Sequence, residues 1–410
     1  MRIHVVGIGA VGNFVAFHLR RSLAPKHSVF ALHRSETFAL VKNRPDGAVL
    51  SVERDGSVMQ QDGVIHLPYG EPRTRSRRSD FAPAALSARD DADVRNEIGP
   101  IDSLVVTTKA YAVPPLLKVF RPNLSRDSTI VLLHNGMGVY EKVIADVFPE
   151  PHNRPNFVFC TNTHGLYSSG FLHTVHSGVG QLRLGIVPDP FEHNYEASYH
   201  AAEDPLDARL SLDDIANVSN PKDITPRYLN LRNTIAALVN APGLRASWEP
   251  FHDVQIAMRS KLVVNAFVNP VTALLQCKNG EVLNSEYGRS VAESVCREAE
   301  RIYRTHWDRE VKEQLQAYMQ NPGIETPPPP FPRALEASVM MQEIERVVEQ
   351  TKNNYSSMYM DVKLRRPTEI AFLNGYLVKM ADKAKFRPYM NVSLLHHIKM
   401  REMIPLAAQP

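Results

Sequence analysis

Lys261, Asn265 and Asn269 recur every four residues in the run Met258-Arg-Ser-Lys-Leu-Val-Val-Asn-Ala-Phe-Val-Asn-Pro, so one stripe of a helix would carry an ammonium and two carboxamides. Their neighbours Leu262, Val263, Val264, Phe267 and Val268 are apolar, which predicts a buried helix in which unpaired polar groups are costly. Such a stripe needs a partner. A bound polar acid would supply one, and so would a buried polar network tying two domains together. An ammonium facing a carbonyl can release a proton as charge develops on its oxygen, and asparagines orient a small acid without adding charge. Pro270 has no amide hydrogen to give the carbonyl one turn back, so it predicts a kink and a freed carbonyl beside the stripe.

A second chemistry-bearing pattern opens the chain. Gly7-Ile8-Gly9-Ala10-Val11-Gly12 fits G-x-G-x-x-G, with an apolar run before it and a helical pattern after it. Gly7 permits the tight turn, Gly9 lets backbone approach a pyrophosphate, and Gly12 lets the helix pack close to the strand. The helix N-terminus then presents amides and a partial positive charge to phosphate. At the end of the next strand, where an acid would accept from a ribose 2′-hydroxyl, the sequence reads FALHRSE. Arg34 there suits a 2′-phosphate, with Ser35 as an added hydroxyl, and predicts NADP(H). The alternative is a solvated Arg34 with Glu36 as the ribose acid.

The elements that must hold these groups follow from periodicity. Apolar runs at Ile3–Val6, Val29–His33, Ser103–Thr107, Thr129–Leu133 and Phe157–Cys160 predict strands buried on both faces. Helical patterns at Val11–Arg21, Pro114–Phe120 and Tyr140–Val147 alternate with them, predicting a doubly wound α/β sheet. Gly170–His176 and Gln181–Ile186 read as a hairpin, followed by a helix near Tyr228–Val239 and a strand near Arg245–Trp248. From Asp253 to about Met403 the pattern is helical throughout. The predicted division is a dinucleotide-binding domain over 1–250 and a helical domain over 251–410. Three polar or Pro-rich stretches, about 54–100, 188–223 and 318–333, read as surface insertions.

Composition bounds the rest. The 410 residues exceed one typical core. The chain has 47 Lys and Arg against 44 Asp and Glu, a net charge of +3 that points to neither nucleic acid nor an anionic membrane as partner. Its 30 Pro outnumber its 20 Gly, an imbalance that the three insertions help to explain. Cys160, Cys277 and Cys296 make no disulfide framework and have no metal-ligand spacing, so no metal is expected. No leader or apolar run of membrane-spanning length is visible, and the expected compartment is the cytoplasm, an organelle being compatible as well.

Six blocks in order, GIGAVG, VTTKAY, LLHNGMG, TNTHG, RSKLVVNAFVNPVTALLQCKNGE and NNYSSMYMDVKLRRPTEIAFLNGY, make the chain resemble the ketopantoate reductase family. That family reduces 2-dehydropantoate to pantoate with NADPH in coenzyme A biosynthesis. The resemblance implies an N-terminal Rossmann-type α/β domain, an all-α C-terminal domain and an active site in the cleft between them. It puts the proton donor on Lys261 and substrate-binding groups on Asn265, Asn269, Asn279 and Ser357. Lys109, Asn135, Gly165 and Glu369 match positions lining the nicotinamide cofactor or the adjoining site. A homodimer is compatible with helical domains of this kind.

Residue chemistry refines one of these. Pro367 disfavours helix at Arg366, and Thr368 reads as an N-cap that places Glu369 in the first turn of a new helix. Without that break, Ser357 and Glu369 would stand about 18 Å apart on one helix at 1.5 Å per residue. A bare first-turn carboxylate is the alternative for Glu369. Three functions compete: reduction of ketopantoate, reduction of another branched 2-oxo acid, and a reductase-like protein recruited for binding through the Arg73–Arg78 cluster. His173 and His176 read as packing or surface residues, and Cys277 as an ordinary thiol.

Overall fold

The computed structural model describes all residues except 46, 71–96, 205, 221–224, 321–329 and 405–410, with backbone alone for 313–320. The Arg73–Arg78 cluster and most of the proline run at 327–330 therefore lie outside the described residues. Two compact units divide the chain. The first comprises Met1–His134 and Val139–Val254; the second comprises Asn135–Gly138 and Gln255–Pro410.

In the first unit, β-branched runs bury both faces and form parallel strands. β1 (Arg2–Val6), β2 (Ser28–Arg34), β6 (Ser103–Val106), β7 (Thr129–Leu132) and β8 (Asn156–Asn162) lie in an eight-stranded sheet. Its order is β12-β11-β8-β7-β6-β1-β2-β5, with β5 (Ile65–Tyr69), β11 (Leu182–Ile186) and β12 (Ala246–Trp248) completing it. β11 runs antiparallel to β8 and the rest pair in parallel. Helices α1 (Ala10–Ser22), α2 (Ser35–Lys42), α3 (Val113–Phe120) and α4 (Val139–Asp146) alternate with the strands. The order reverses at β1, which pairs with both β2 and β6, so the loops at their carboxyl ends form the crevice where a doubly wound sheet takes its ligand.

Gly170–His176 and Gln181–Ile186 are not the two arms of one hairpin. β10 (His173–Gly178) pairs with β9 (Gly165–Gly170) in a separate four-stranded sheet with β3 (Leu50–Arg54) and β4 (Ser57–Gln61), ordered β4-β3-β10-β9, while β11 joins the large sheet. The polar turn between β10 and β11 looks like any hairpin turn, and the change of sheet is invisible in period-two patterning. Nor is 54–100 wholly an insertion, because β4 (Ser57–Gln61) follows β3 (Leu50–Arg54) in the small sheet and β5 edges the large one.

The 188–223 stretch is likewise more than surface. It holds α5 (Ala197–His200) and α6 (Leu212–Ile215), and it sends Tyr195 and Ile215 into the core of the first unit. Near its start Asp189 is buried against Arg227, the second residue of α7 (Pro226–Val239), their side chains 0% and 3% exposed and 3.2 Å apart. Tyr228 also donates to Asp189 (2.8 Å), and its phenol is pushed up to about 12 by burial and by that bond. Phe191 packs on the Arg227 guanidinium at 5.3 Å.

Buried imidazoles give this unit an acid sensitivity. Burial is the largest cause that lowers His4 to about 3 and His18 and His33 to about 4, from an ordinary 6.5. Their neutrality stabilises the fold fully above pH 6.5, and that contribution is lost as pH falls toward 4, at about 1.4 kcal/mol per pH unit for each group. Tm should fall steeply between pH 6.5 and 4.5, with His18→Phe flattening the slope. A Tm indifferent to pH over that range would contradict this account.

The second unit is helical. α8 (Phe251–Leu275) starts at the end of the first unit and is followed by α9 (Glu286–Gln320), α10 (Ala337–Gln350), α11 (Ser357–Lys363), α12 (Asn374–Lys383) and α13 (Tyr389–Met403). Leu262, Val263, Phe267, Tyr303, Ile344 and Leu377 build its separate core. Among the described residues, no helix is long and apolar enough to cross a membrane.

Candidate active site

The Gly7–Gly12 turn joins β1 to α1. Gly7 has φ +92°, and a Cβ there would come 2.7 Å from the Thr108 backbone nitrogen. A Cβ on Gly12 would meet the Gly7 carbonyl oxygen at 2.4 Å and Thr107 Oγ1 at 2.6 Å, so any side chain would break the helix-to-strand contact. Gly9 differs: the nearest atom to its Cβ position is 3.9 Å away. Open space over Gly9, with packing glycines on either side, is what a pyrophosphate approaching backbone requires, and the turn fits a dinucleotide. Ile8 and Val11 anchor it in the apolar core, while Ala10 starts α1. Thr107 donates to the carbonyls of Val6 (2.9 Å) and Gly7 (2.8 Å), tying the loop after β6 to the turn.

Around it, Arg34 ends β2 as an exposed residue at the N-cap of α2. Ser35 donates its hydroxyl to the Tyr69 carbonyl (3.2 Å), and Glu36 is exposed in the first turn of α2. Lys109, two residues beyond Thr107, precedes a 3₁₀ turn at Ala110–Ala112. Gly165 opens β9 in the small sheet rather than the large one, and a Cβ there would come 3.0 Å from Ser177 Oγ, a local packing reason for glycine. His164, its neighbour, lies 3.0 Å from His176, and His173 bonds Glu53 at 3.0 Å.

In the second unit the stripe lies on α8, with Asn269 buried and Lys261 and Asn265 half-buried. Lys261 Nζ donates to Asn135 Oδ1 at 3.1 Å. The Asn135–Gly138 turn is seated by positive-φ glycines at 136 (+85°) and 138 (+87°). Cβ atoms there would strike the Phe372 carbonyl oxygen at 2.6 Å and the Tyr376 ring at 2.8 Å. Met137 N–H bonds the Phe372 carbonyl (2.9 Å), and Phe372 N–H bonds the Glu369 carbonyl (2.9 Å). The HNGMG and TEIAFLNGY blocks thus dock on each other, which brings Asn135 to Lys261 and runs the docking segment back to Glu369.

Glu369 is 4% exposed and caps a single 3₁₀ turn, Ile370–Phe372. It does not lie in the first turn of a helix, as expected from sequence, because regular helix resumes only at Asn374. Nor is Thr368 the N-cap, a position that Glu369 takes; Thr368 accepts from Ile370 N–H (3.3 Å) and donates to Glu402 (2.7 Å). The carbonyl that Pro270 leaves without an intrahelical donor belongs to Ala266, and Asn374 Nδ2 satisfies it at 2.9 Å. Asn374 was missed from the sequence, although the freed carbonyl was itself a signal that a donor must approach.

Asn279 N–H bonds the Asn354 carbonyl (3.0 Å) and its Nδ2 donates to Thr351 Oγ1 (3.0 Å). Ser357 is the exposed first residue of α11, while Ser356 before it is buried and caps that helix by accepting from Tyr359 N–H (3.0 Å). Burial raises the Cys277 thiol, so no feature activates it. Among the described residues, no group of three or more His, Cys, Asp or Glu could hold a metal ion.

Residues 3–189 match the family described as ketopantoate reductase PanE/ApbA, and residues 253–402 match the description ketopantoate reductase PanE/ApbA C terminal. The chain is 24% identical over 404 residues to a probable 2-dehydropantoate 2-reductase of Schizosaccharomyces pombe, covering 97% of this chain and 96% of that protein. It is 26% identical over 393 residues to the 2-dehydropantoate 2-reductase of Saccharomyces cerevisiae, covering 94% and 89%. In fold it is similar to D-mandelate dehydrogenase with NADH and anilino(oxo)acetate, at TM-score 0.64, 15% identity and 98% of both chains.

Proposed function

The chain belongs to the ketopantoate reductase family, and from that premise we propose that it reduces 2-dehydropantoate to pantoate with NADPH. The observation that carries this reading is the Lys261 ammonium held 3.1 Å from Asn135 Oδ1 at one end of a stripe continued by Asn265 and Asn269. When bound, NADPH supplies the hydride that adds to C2 of the 2-oxo acid. Lys261 gives its Nζ proton to the carbonyl oxygen as that oxygen gains charge, and takes another from solvent afterwards. Asn135 aims the ammonium by accepting one of its hydrogens. Asn265, Asn269, Asn279 and Ser357 hold the substrate's polar groups, so that binding fixes its orientation. Glu369, beside the turn that carries Asn135, shapes the cofactor end of the site.

The Gly7–Gly12 turn would hold the pyrophosphate, with Lys109, Asn135 and Gly165 along the nicotinamide side and Arg34 on the 2′-phosphate. Replacing Arg34 with glutamine removes a charge-assisted contact, so NADPH affinity should fall about 10- to 100-fold with NADH affinity unchanged. Fluorescence titration of both cofactors checks this. A variant that loses NADH as well, with Glu36→Gln having the larger effect, would return the ribose to Glu36.

The activity itself is tested by NADPH oxidation with ketopantoate against a panel of branched 2-oxo acids. The highest kcat/KM is expected for ketopantoate. A higher value for another acid would move the assignment to that substrate, and no turnover of any would end the enzymatic reading.

A further inference from the structure

Asn269 and Ser356, far apart in sequence, are each one hydrogen bond from the Thr272 hydroxyl, and Ser357 is the next residue after Ser356. Thr272 Oγ1 lies 2.7 Å from the Val268 carbonyl oxygen and 3.1 Å from that of Asn269. It also lies 2.7 Å from Ser356 Oγ, the oxygen that caps α11. Thr272 is 0% and Ser356 5% exposed, so neither hydroxyl has water to fall back on.

The hydrogens can be counted. Thr272 has one, and the Val268 and Asn269 carbonyls can only accept. In the 2.7 Å hydroxyl pair Thr272 Oγ1 donates to Ser356 Oγ, so its one hydrogen is shared between the α8 backbone and the cap of α11. The Tyr359 N–H donates to the same Ser356 oxygen. The result is one chain of bonds that links the first turn of α11, through two hydroxyls, to the backbone turn of α8 that contains Asn269 and Pro270. That stretch of α8 has already lost an intrahelical bond at Pro270, so its geometry depends more than usual on side-chain bonds.

We propose that Thr272 is a positioning residue, one that sets Asn269 on α8 and Ser357 on α11 in register through Ser356 without itself touching substrate. This inference rests on the reading of Asn269 and Ser357 as substrate-binding groups. It assigns the accuracy of their spacing to a hydroxyl pair in the interior of the second unit.

Thr272→Val keeps the shape and removes the hydroxyl, and Ser356→Ala removes its partner. In the full-length protein, each should lower kcat/KM for ketopantoate about 10- to 100-fold, mostly through KM, because the substrate groups are misplaced rather than lost. NADPH affinity should stay within twofold of wild type. Thr272→Ser should restore KM to within about threefold, and the double variant should be no worse than the poorer single one, since both changes break one chain. The proposal is overturned if both variants lower Tm while KM stays unchanged, which would make the pair a stabilising contact only. It is equally overturned if the two losses multiply in the double variant, or if NADPH affinity falls in parallel with KM. Wild-type turnover of ketopantoate is measured alongside. Its absence would bring down the proposed function and this inference with it, whereas normal turnover with an indifferent Thr272→Val would remove only the inference.

Discussion

Lys261→Ala should lower kcat for ketopantoate reduction about 10²- to 10⁴-fold, the range in which a positioned general acid contributes. On the proposed reading the effect belongs to the chemical step, since the lysine would supply the proton that the developing alkoxide needs. NADPH affinity should be unchanged. Lys261→Arg is a sharper test, because a guanidinium keeps the positive charge but does not release a proton near neutrality. If charge alone mattered, arginine would rescue; if proton delivery matters, it stays close to alanine in kcat. Pre-steady-state measurement of NADPH oxidation separates the chemical step from product release. A Lys261→Ala enzyme within tenfold of wild type in that step would refute the assignment. Thermal melts serve as the control for both variants.

Asp189→Ala is the change expected to cost most stability. It leaves the Arg227 guanidinium, 3% exposed, without its carboxylate, and it strips the Tyr228 hydroxyl of its acceptor. Breaking one side of a buried pair typically costs about 3–5 kcal/mol, because a buried charge is left uncompensated. In a unit of this size each kcal/mol moves Tm by about 2–4 °C, so a fall on the order of 10 °C is expected. The carbonyls of Arg126 and Arg154 also receive Arg227, at 2.6 and 2.9 Å, and soften the loss without neutralising the charge. Replacing the group together, as Asp189→Leu with Arg227→Met and Tyr228→Phe, should recover most of the loss. A single variant whose Tm falls by less than about 3 °C would show that the pair contributes little.

The contrast between these two sites separates what was legible in the sequence from what was not. Lys261 stood out because an ammonium and carboxamides at helical spacing inside an apolar run need a polar partner. Asp189 did not, because it lies in a polar, Pro-punctuated stretch that has the composition of a surface insertion. Only its pairing with Arg227, on a helix that comes later in the chain, makes it a buried charge. Ser356 and Ser357 show the same limit at the scale of one residue. Two adjacent serines cannot be told apart by composition, yet one is buried and caps α11 while the other is exposed at its first position.

The sequence by itself determined the features whose cause is local. The G-x-G-x-x-G turn between strand and helix, the strand–helix alternation, the break at Pro367 and the polar stripe on α8 all follow from steric limits and periodicities of a few residues. Tertiary structure alone decided which distant groups meet: Asn135 on Lys261, Asn374 on the carbonyl freed by Pro270, Thr272 on Ser356, and β10 and β11 in different sheets. The physical reason is register. A shift of one residue in a strand, or a quarter turn of a helix, leaves the local pattern intact but exchanges every long-range partner. Those partners are fixed by how whole elements pack, through docking glycines such as Gly136 and Gly138, and no short window of the chain contains that information.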